Sequence, residues 1–376
     1  MMKPQINTLT VDRFRALKHL TIHGFGRVNL ITGRNNTGKS SVLEALRILA
    51  SDASPSVIYN ILRFREEDVG DGEDTARPLD ADGTFLLSTL FNGFPKFSSK
   101  LEPIVIDASG GKRPMRITMA AEWLAEERDE EGVRKLVPQQ TSLLGEVEAI
   151  PALIIEAAGT RRLMPLDSMR RSGFRARSIR PEAMAEASLP CEFVSPYGGE
   201  RTATLGTLWD QIALSDREKD VVEALHIIDP AISAVSMVGG EGPRQQRTAM
   251  VRAHNLPRRV PLRSYGDGLN RLFGIVLALV NAKDGLLLVD EFDNGMHHSV
   301  QLDVWRAVFK LSLRLGVQVF ATSHSWDSIE AFQKAAAESP EEGVLVRLSR
   351  KGEDIIPTTF AEDELAVAAR ERIEVR

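Results

Sequence analysis

Residues 28–41 read Val-Asn-Leu-Ile-Thr-Gly-Arg-Asn-Asn-Thr-Gly-Lys-Ser-Ser. A short apolar run enters a loop bounded by Gly33 and Gly38. A helical pattern starts near Lys39, with Val42, Leu43, Ala45, Leu46 and Leu49 on one face. Gly33, Gly38, Lys39 and Ser40 satisfy G-x-x-x-x-G-K-[ST] without mismatch. The glycines let the backbone of Gly33, Arg34, Asn35, Asn36, Thr37 and Gly38 curl so that its N–H groups point inward at phosphate oxygens. The helix that follows, with Ser40 and Ser41 in its first turn, adds its N-terminal partial positive charge. Lys39 brings a point charge to the terminal phosphates, and the Ser40 hydroxyl can ligate Mg²⁺. The stretch therefore predicts the strand, loop and helix of a nucleotide-binding α/β core.

The composition fits a globular chain: 376 residues, 43% apolar and 26% charged. No apolar run approaches the roughly 20 residues that span a bilayer, and the N-terminus lacks the apolar segment of a signal peptide. Cys191 is the only cysteine, which excludes an intrachain disulfide and a cysteine metal site. A cytoplasmic protein without a membrane segment is expected. The formal net charge of −5 does not advertise nucleic-acid binding, which would need a local basic surface.

Two strands, Thr8–Phe14 and Leu20–His23, are expected before the loop. Arg13-Phe14-Arg15 between them is either a contact to a nucleotide base or a solvated strand end. Residues 66–82 hold eight acids and one arginine, the pattern of a solvated loop. Strands are expected at Pro103–Ala108 and Met115–Ala120, around the turn Ser109-Gly110-Gly111-Lys112. Residues 121–190 read as polar, helical and irregular. Within them Arg161, Arg162, Arg170, Arg171, Arg175, Arg177 and Arg180 face one acid, Asp167. They are either a solvated basic face or a contact to nucleic-acid phosphates or an acidic partner; Phe174 alone gives little support for base stacking. Residues 207–230 read as helical, with Ser215-Asp216-Arg217-Glu218 as a capping box and Asp229-Pro230 as the stop. Arg247–Ala253 reads as a strand.

Leu286-Leu287-Leu288-Val289-Asp290-Glu291 is an apolar strand ending in two carboxylates. After a phosphate-binding loop this reads as a Walker B strand: Asp290 for Mg²⁺, Glu291 to polarise the attacking water. Upstream, Ser264-Tyr265-Gly266-Asp267-Gly268 opens the apolar helix 269–280, a second anion-binding helix start. Downstream, Val317–Thr322 is another apolar strand, closed by Ser323-His324-Ser325. His324 sits where a γ-phosphate sensor would.

This order of motifs resembles the ATP-binding-cassette (ABC) ATPase superfamily. Ser264–Gly268 match its signature motif, Asp293-Asn294-Gly295-Met296-His297 its D-loop, and His324 its switch histidine. The resemblance implies ATP as the nucleotide and a head-to-tail homodimer or higher oligomer. In that arrangement Ser264, Gly266 and Gly268 complete the partner's site and Glu291, His324 and Lys39 are catalytic. Transporter cassettes differ, with a Leu-Ser-Gly-Gly-Gln signature, and no coiled coil of the SMC kind interrupts this chain. The Phe-Arg segment, the S-x-G-x-G style and D-N-G-M-H are more similar to RecF and the OLD-type ATPases, as is the ending 363–376. Gln139, Gln140 and Gln211 are all candidates for the Q-loop glutamine.

OLD proteins carry a TOPRIM nuclease in the same chain, and too few residues follow His324 for one here. The resemblance, in particular to the ATPase of PARIS-type anti-phage systems, implies a separate effector, such as a TOPRIM-type nuclease. The resulting expectation is an α/β ABC-type head with a lateral antiparallel sheet. It has an N-terminal lobe (1–120), an inserted, mostly helical subdomain (121–246) and a C-terminal lobe (247–376). Its expected activity is slow hydrolysis of ATP controlling an effector in defence. A RecF-like DNA-repair ATPase and an ATP-stabilised scaffold are the alternatives.

Overall fold

The structure, a computed structural model, describes residues 4–65, 87–111, 114–128, 134–138, 149–165, 189–196, 202–239, 247–265, 267–339 and 343–360. The strands are β1 (Ile6–Phe14), β2 (Leu17–His23), β3 (Val28–Thr32), β4 (Ile104–Gly110), β5 (Met115–Arg128), β6 (Arg134–Pro138), β7 (Ile150–Ala157) and β8 (Thr160–Pro165). They continue with β9 (Cys191–Val194), β10 (Ile232–Gly239), β11 (Arg247–Ala253), β12 (Val260–Pro261), β13 (Leu286–Val289), β14 (Gln318–Thr322), β15 (Gly343–Lys351) and β16 (Asp354–Phe360). The helices are α1 (Lys39–Ala50), α2 (Pro55–Arg65), α3 (Thr202–Asp210), α4 (Asp216–Ile228), α5 (Leu262–Tyr265), α6 (Asp267–Asn281), α7 (His298–Leu315) and α8 (Trp326–Ala337).

The central sheet runs β16-β15-β3-β14-β13-β9. All pairs are parallel except β15–β16. Every residue of β3, β13 and β14 is buried, as expected of strands covered on both faces. Alternation divides their side chains between two cores. Val28, Leu30, Leu287, Val289, Val319 and Ala321 join a core with α4, α6, α7 and α8. Ile31, Leu286, Leu288 and Phe320 join α1, α2 and a lateral antiparallel sheet in the other.

That lateral sheet runs β2-β1-β4-β5-β7-β8, with β6 also on β5. Gln318, buried at the start of β14, fixes it to the centre: its Nε2 donates to the carbonyls of Ile6 and Gly26, and its Oε1 accepts from the Ile6 N–H at 2.8 Å. A third, three-stranded sheet, β10-β11-β12, lies in the first core through Val235, Met237, Ala249 and Val251.

The expected strands flanking the loop and at 103–120 are present, as are the helix ending before Asp229 and the strand at 247–253. The Ser215 cap forms in altered geometry: its Oγ accepts from the Arg217 N–H, and Glu218 reaches the Leu214 N–H. The stretch read as helical and irregular is different. Among the described residues, 121–128, 134–138, 150–157 and 160–165 are strands, and β5 runs straight through residue 120. Ala121 and Leu124 face the core while cross-strand pairing with β7 satisfies the backbone. The acidic run 66–82 and the ending 361–376 lie outside the described residues.

Candidate functional site

Four parallel strands end at one edge of the sheet, where α/β folds bind ligands. The 33–38 loop leaves β3, Asp290 and Glu291 leave β13, Ser323 and His324 leave β14, and Ser195 and Pro196 leave β9.

The loop is shaped by left-handed backbone at Gly33 (φ +143°), Asn36 (φ +63°) and Gly38 (φ +82°). A Cβ on Gly33 would lie 2.4 Å from the Leu348 carbonyl oxygen. Arg34, Asn35 and Asn36 are exposed, Thr37 and Ser41 are buried, and Gly38, Lys39 and Ser40 lie between. Thr37 Oγ1 donates to the Arg34 carbonyl at 2.8 Å. Lys39 Nζ curls over the loop and donates to the carbonyls of Gly33 (2.7 Å) and Arg34 (3.0 Å). Burial lowers the Lys39 pKa, and the charges of Asp290 and Glu291 oppose that shift. The loop lysine and the two carboxylates thus share one electrostatic environment, although they are far apart in sequence.

Asp290 is 6% exposed, and its Oδ1 accepts from Thr322 Oγ1 at 2.6 Å. The same Thr322 oxygen accepts from the Glu291 N–H at 2.8 Å. Glu291 has φ +47°, left-handed backbone that a non-glycine residue adopts at a cost. Asn294 N–H donates to its carbonyl at 3.0 Å. Ser323 Oγ donates to Asp293 Oδ1 at 2.6 Å, joining the ends of β13 and β14. His324 is exposed beside them.

Two participants escaped the sequence reading. Arg271 on α6 is 5% exposed and donates to the carbonyls of Ser195 (2.6 Å), Asp290 (3.0 Å) and Glu291 (3.2 Å). An arginine within the apolar run Leu269–Val280 was the available signal. The second is β9 with Ser195 and Pro196: the Pro196 carbonyl accepts from Asn294 Nδ2, so this strand end occupies the space beside Asp290 and Glu291. Of the glutamine candidates, Gln139 and Gln140 lie outside the described residues, and Gln211 is exposed directly after α3.

Other expected residues lie elsewhere. Ser264 is exposed on α5 and Gly268 lies in α6, while Gly266 lies outside the described residues. Leu262 and Leu269 anchor this segment in the core on the face of the sheet opposite α1. The 13–15 turn is closed against a base: Phe14 is fully buried, Arg15 pairs with Glu44 at 2.6 Å, and Arg13 donates to the Pro103 carbonyl. Of the arginines in 161–180, Arg161 and Arg162 are on β8. Arg162 donates to the Asp52 carbonyl and pairs with its carboxylate, and Arg161 lies 4.0 Å from Glu156. Arg170, Arg171, Arg175, Arg177 and Arg180 lie outside the described residues.

The donor set suits Mg²⁺ held together with phosphates. Among the described residues no three His, Cys, Asp or Glu side chains cluster as a metal cage. One carboxylate and one hydroxyl, such as Asp290 and Ser40 would offer, are the sparse protein contribution that Mg²⁺ takes when phosphates and water supply the rest.

Residues 2–113 match the family profile "AAA ATPase domain", and residues 225–329 match "AAA domain, putative AbiEii toxin, Type IV TA system". Two stretches of the chain thus match AAA-type ATPase domain profiles, one holding the 33–38 loop and the other Asp290 and Glu291. The chain is also 22% identical to an "ATP/GTP phosphatase" of Helicobacter pylori over 384 residues, 96% of each chain. Over 59 residues, 15% of its own length and 27% of the other's, it is 39% identical to an uncharacterised protein of Methanocaldococcus jannaschii. Similar solved structures include the SMC head domain from Thermotoga maritima, at 12% identity, 95% and 99% coverage and a TM-score of 0.47. An SMC head bound to the C-winged helix domain of ScpA matches at 12% identity, 96% and 99% coverage and a TM-score of 0.49. The architecture is a mixed α/β core, with a phosphate-binding-type loop after a central strand, and a lateral antiparallel sheet. No helix among the described residues is long and apolar enough to cross a membrane.

Proposed function

We propose that the chain hydrolyses ATP at a site completed by a second copy, and that closing and opening of this homodimer controls a separate effector protein. One observation carries the reading: Lys39, Asp290 and Glu291 share an electrostatic environment at one sheet edge, while Ser264 is exposed on the opposite face. In this reading the 33–38 backbone and Lys39 grip the phosphates of ATP, and Ser40 and Asp290 hold Mg²⁺. Bound there, Mg²⁺ supplies charge neutralisation at the phosphates. Glu291 accepts a proton from the attacking water, and His324 contacts the γ-phosphate. Ser264, Gly266 and Gly268 reach the nucleotide of the other copy.

ATP binding energy at two shared sites biases an open–closed equilibrium, and residues within 121–246 pass the change to the effector. The matched profile is named for a putative toxin of a toxin–antitoxin system, which is compatible with a defence role, and control of a nuclease partner in anti-phage defence is the form we favour.

The test is Glu291→Gln. It keeps shape and hydrogen bonding but removes the base, so it is expected to bind ATP, hydrolyse it at least about 100-fold more slowly and accumulate as a dimer in light scattering. A variant that turns over at the wild-type rate removes Glu291 from the mechanism. One that stalls as a monomer removes the composite site.

A further inference from the structure

From residue 247 to 265 the chain carries five arginines, Arg247, Arg252, Arg258, Arg259 and Arg263, and no acid, within a protein of net charge −5. This stretch forms β11, the turn 254–259, β12 and α5, and so leads directly into Ser264. The structure separates the five. Arg247 is used internally: it pairs with Asp210 and donates to the Gly206 carbonyl. Arg252, Arg258 and Arg259 are exposed and make no ion pair among the described residues. Arg263 is exposed one residue before Ser264.

The pairing Met250↔Pro261 and Val251↔Val260 sets the register of the hairpin. Continued by one residue, it puts Arg259 opposite Arg252. Like charges directly across a strand pair repel, so a hairpin shaped only for stability would avoid them. The alternate residues Ala249, Val251 and Ala253 are buried, which holds Arg252 on the outer face of a rigid sheet. The Asp210 carboxylate is already taken by Arg247.

We infer that this hairpin binds the phosphate backbone of a nucleic-acid duplex. Fixed, unpaired guanidinium groups match phosphate oxygens. The only aromatic ring the turn exposes is His254, and it exposes no large apolar side chain to anchor a protein partner. Recognition is therefore of the backbone and independent of sequence. A duplex lying here reaches the chain within a few residues of Ser264.

The experiment measures fluorescence anisotropy of a labelled duplex DNA of about 25 base pairs with the full chain, across a salt series without nucleotide. Three phosphate contacts per chain predict a slope of log K against log salt of about −2.7, and Arg258→Ala/Arg259→Ala makes it shallower by about 1.8. The same double variant is expected to keep ATP-dependent self-association. Arg258→Lys/Arg259→Lys is expected to retain binding, since a phosphate accepts a point charge. Unchanged affinity and slope in the alanine variant overturns the proposal, as does a single strand of equal length binding more tightly than the duplex. Loss of ATP-dependent self-association with duplex binding intact also overturns it, and assigns the arginines to the other copy's nucleotide. Because binding is read without ATP, failure of the hydrolysis mechanism leaves this result unaffected.

Discussion

Arg271→Lys tests whether the helix following Ser264 is mechanically joined to the hydrolytic edge. The arginine spans two strand ends, with one bond to the Ser195 carbonyl after β9 and two to the Asp290 and Glu291 carbonyls after β13. A lysine ammonium lacks the planar fork and cannot bridge both ends. Hydrogen bonds from a charged group contribute about 1.5–3 kcal/mol each. Glu291 is the sensitive point, because its left-handed backbone is held by Thr322 on one side and by Asn294 and Arg271 on the other. If only the bond to the Glu291 carbonyl is lost from the reacting geometry, 1.5–3 kcal/mol corresponds to a drop in kcat of about 10- to 150-fold. These bonds do not go to the 33–38 loop, so affinity for a non-hydrolysable ATP analogue should change less than about threefold. The assay pairs steady-state phosphate release with equilibrium binding of the analogue, and near-UV circular dichroism checks packing. Wild-type kcat in a folded Arg271→Lys chain refutes the reasoning. A parallel loss of analogue binding also refutes it, because it would mean that the arginine supports the whole site.

Two further substitutions probe backbone and burial. Gly33→Ala should lower stability by more than about 2 kcal/mol and abolish nucleotide binding, since the new Cβ meets the Leu348 carbonyl in a left-handed backbone. Gly24→Ala, with open space at φ +77°, should cost only about 1 kcal/mol; urea unfolding separates the two, and equal losses contradict the steric account. Cys191 is partly exposed, and desolvation raises its thiol pKa to about 12. At pH 8 its thiolate fraction is then about one in ten thousand, so a disulfide reagent should label the native chain far more slowly than the unfolded one. Equal labelling rates in the two states would contradict this.

The parts legible in the sequence were those where local pattern and tertiary structure agree. The β3 loop and the β13 strand are apolar runs broken by glycine or carboxylate, and burial on both faces produces that pattern. The failure at 121–165 has the opposite cause. Residues 121–128, Ala-Glu-Trp-Leu-rich, favour a helix by intrinsic propensity, yet β7 pairs with residues 121–124 and β6 with 124–128, and cross-strand pairing outweighs a weak local preference. The strand β9 was missed because four residues give no periodicity. Its role comes from lying beside β13, which only the topology reveals. Phe14 shows the limit of motif proximity: closeness to the loop in sequence suggested a base contact, but its ring is in the core.

The two-core arrangement bears on why one chain would need another. The central sheet lies between α1, which follows the phosphate-binding loop, and α6, which follows Ser264. Turning Ser264 toward its own loop would expose Leu262, Leu269, Leu272 and Phe273, all buried on the far face. Full burial of each such side chain is worth about 1.5–3 kcal/mol, so four of them exceed what nucleotide contacts from one short segment can return. If Ser264 serves a nucleotide at all, a second copy presenting its own Ser264 is the cheaper solution, and two-fold symmetry then supplies both sites at once. Arg271 gives that contact a route inward. It sits one turn into the helix that Ser264 precedes and ends on the carbonyls of Asp290 and Glu291, so a shift of the helix on docking moves the carboxylates with it.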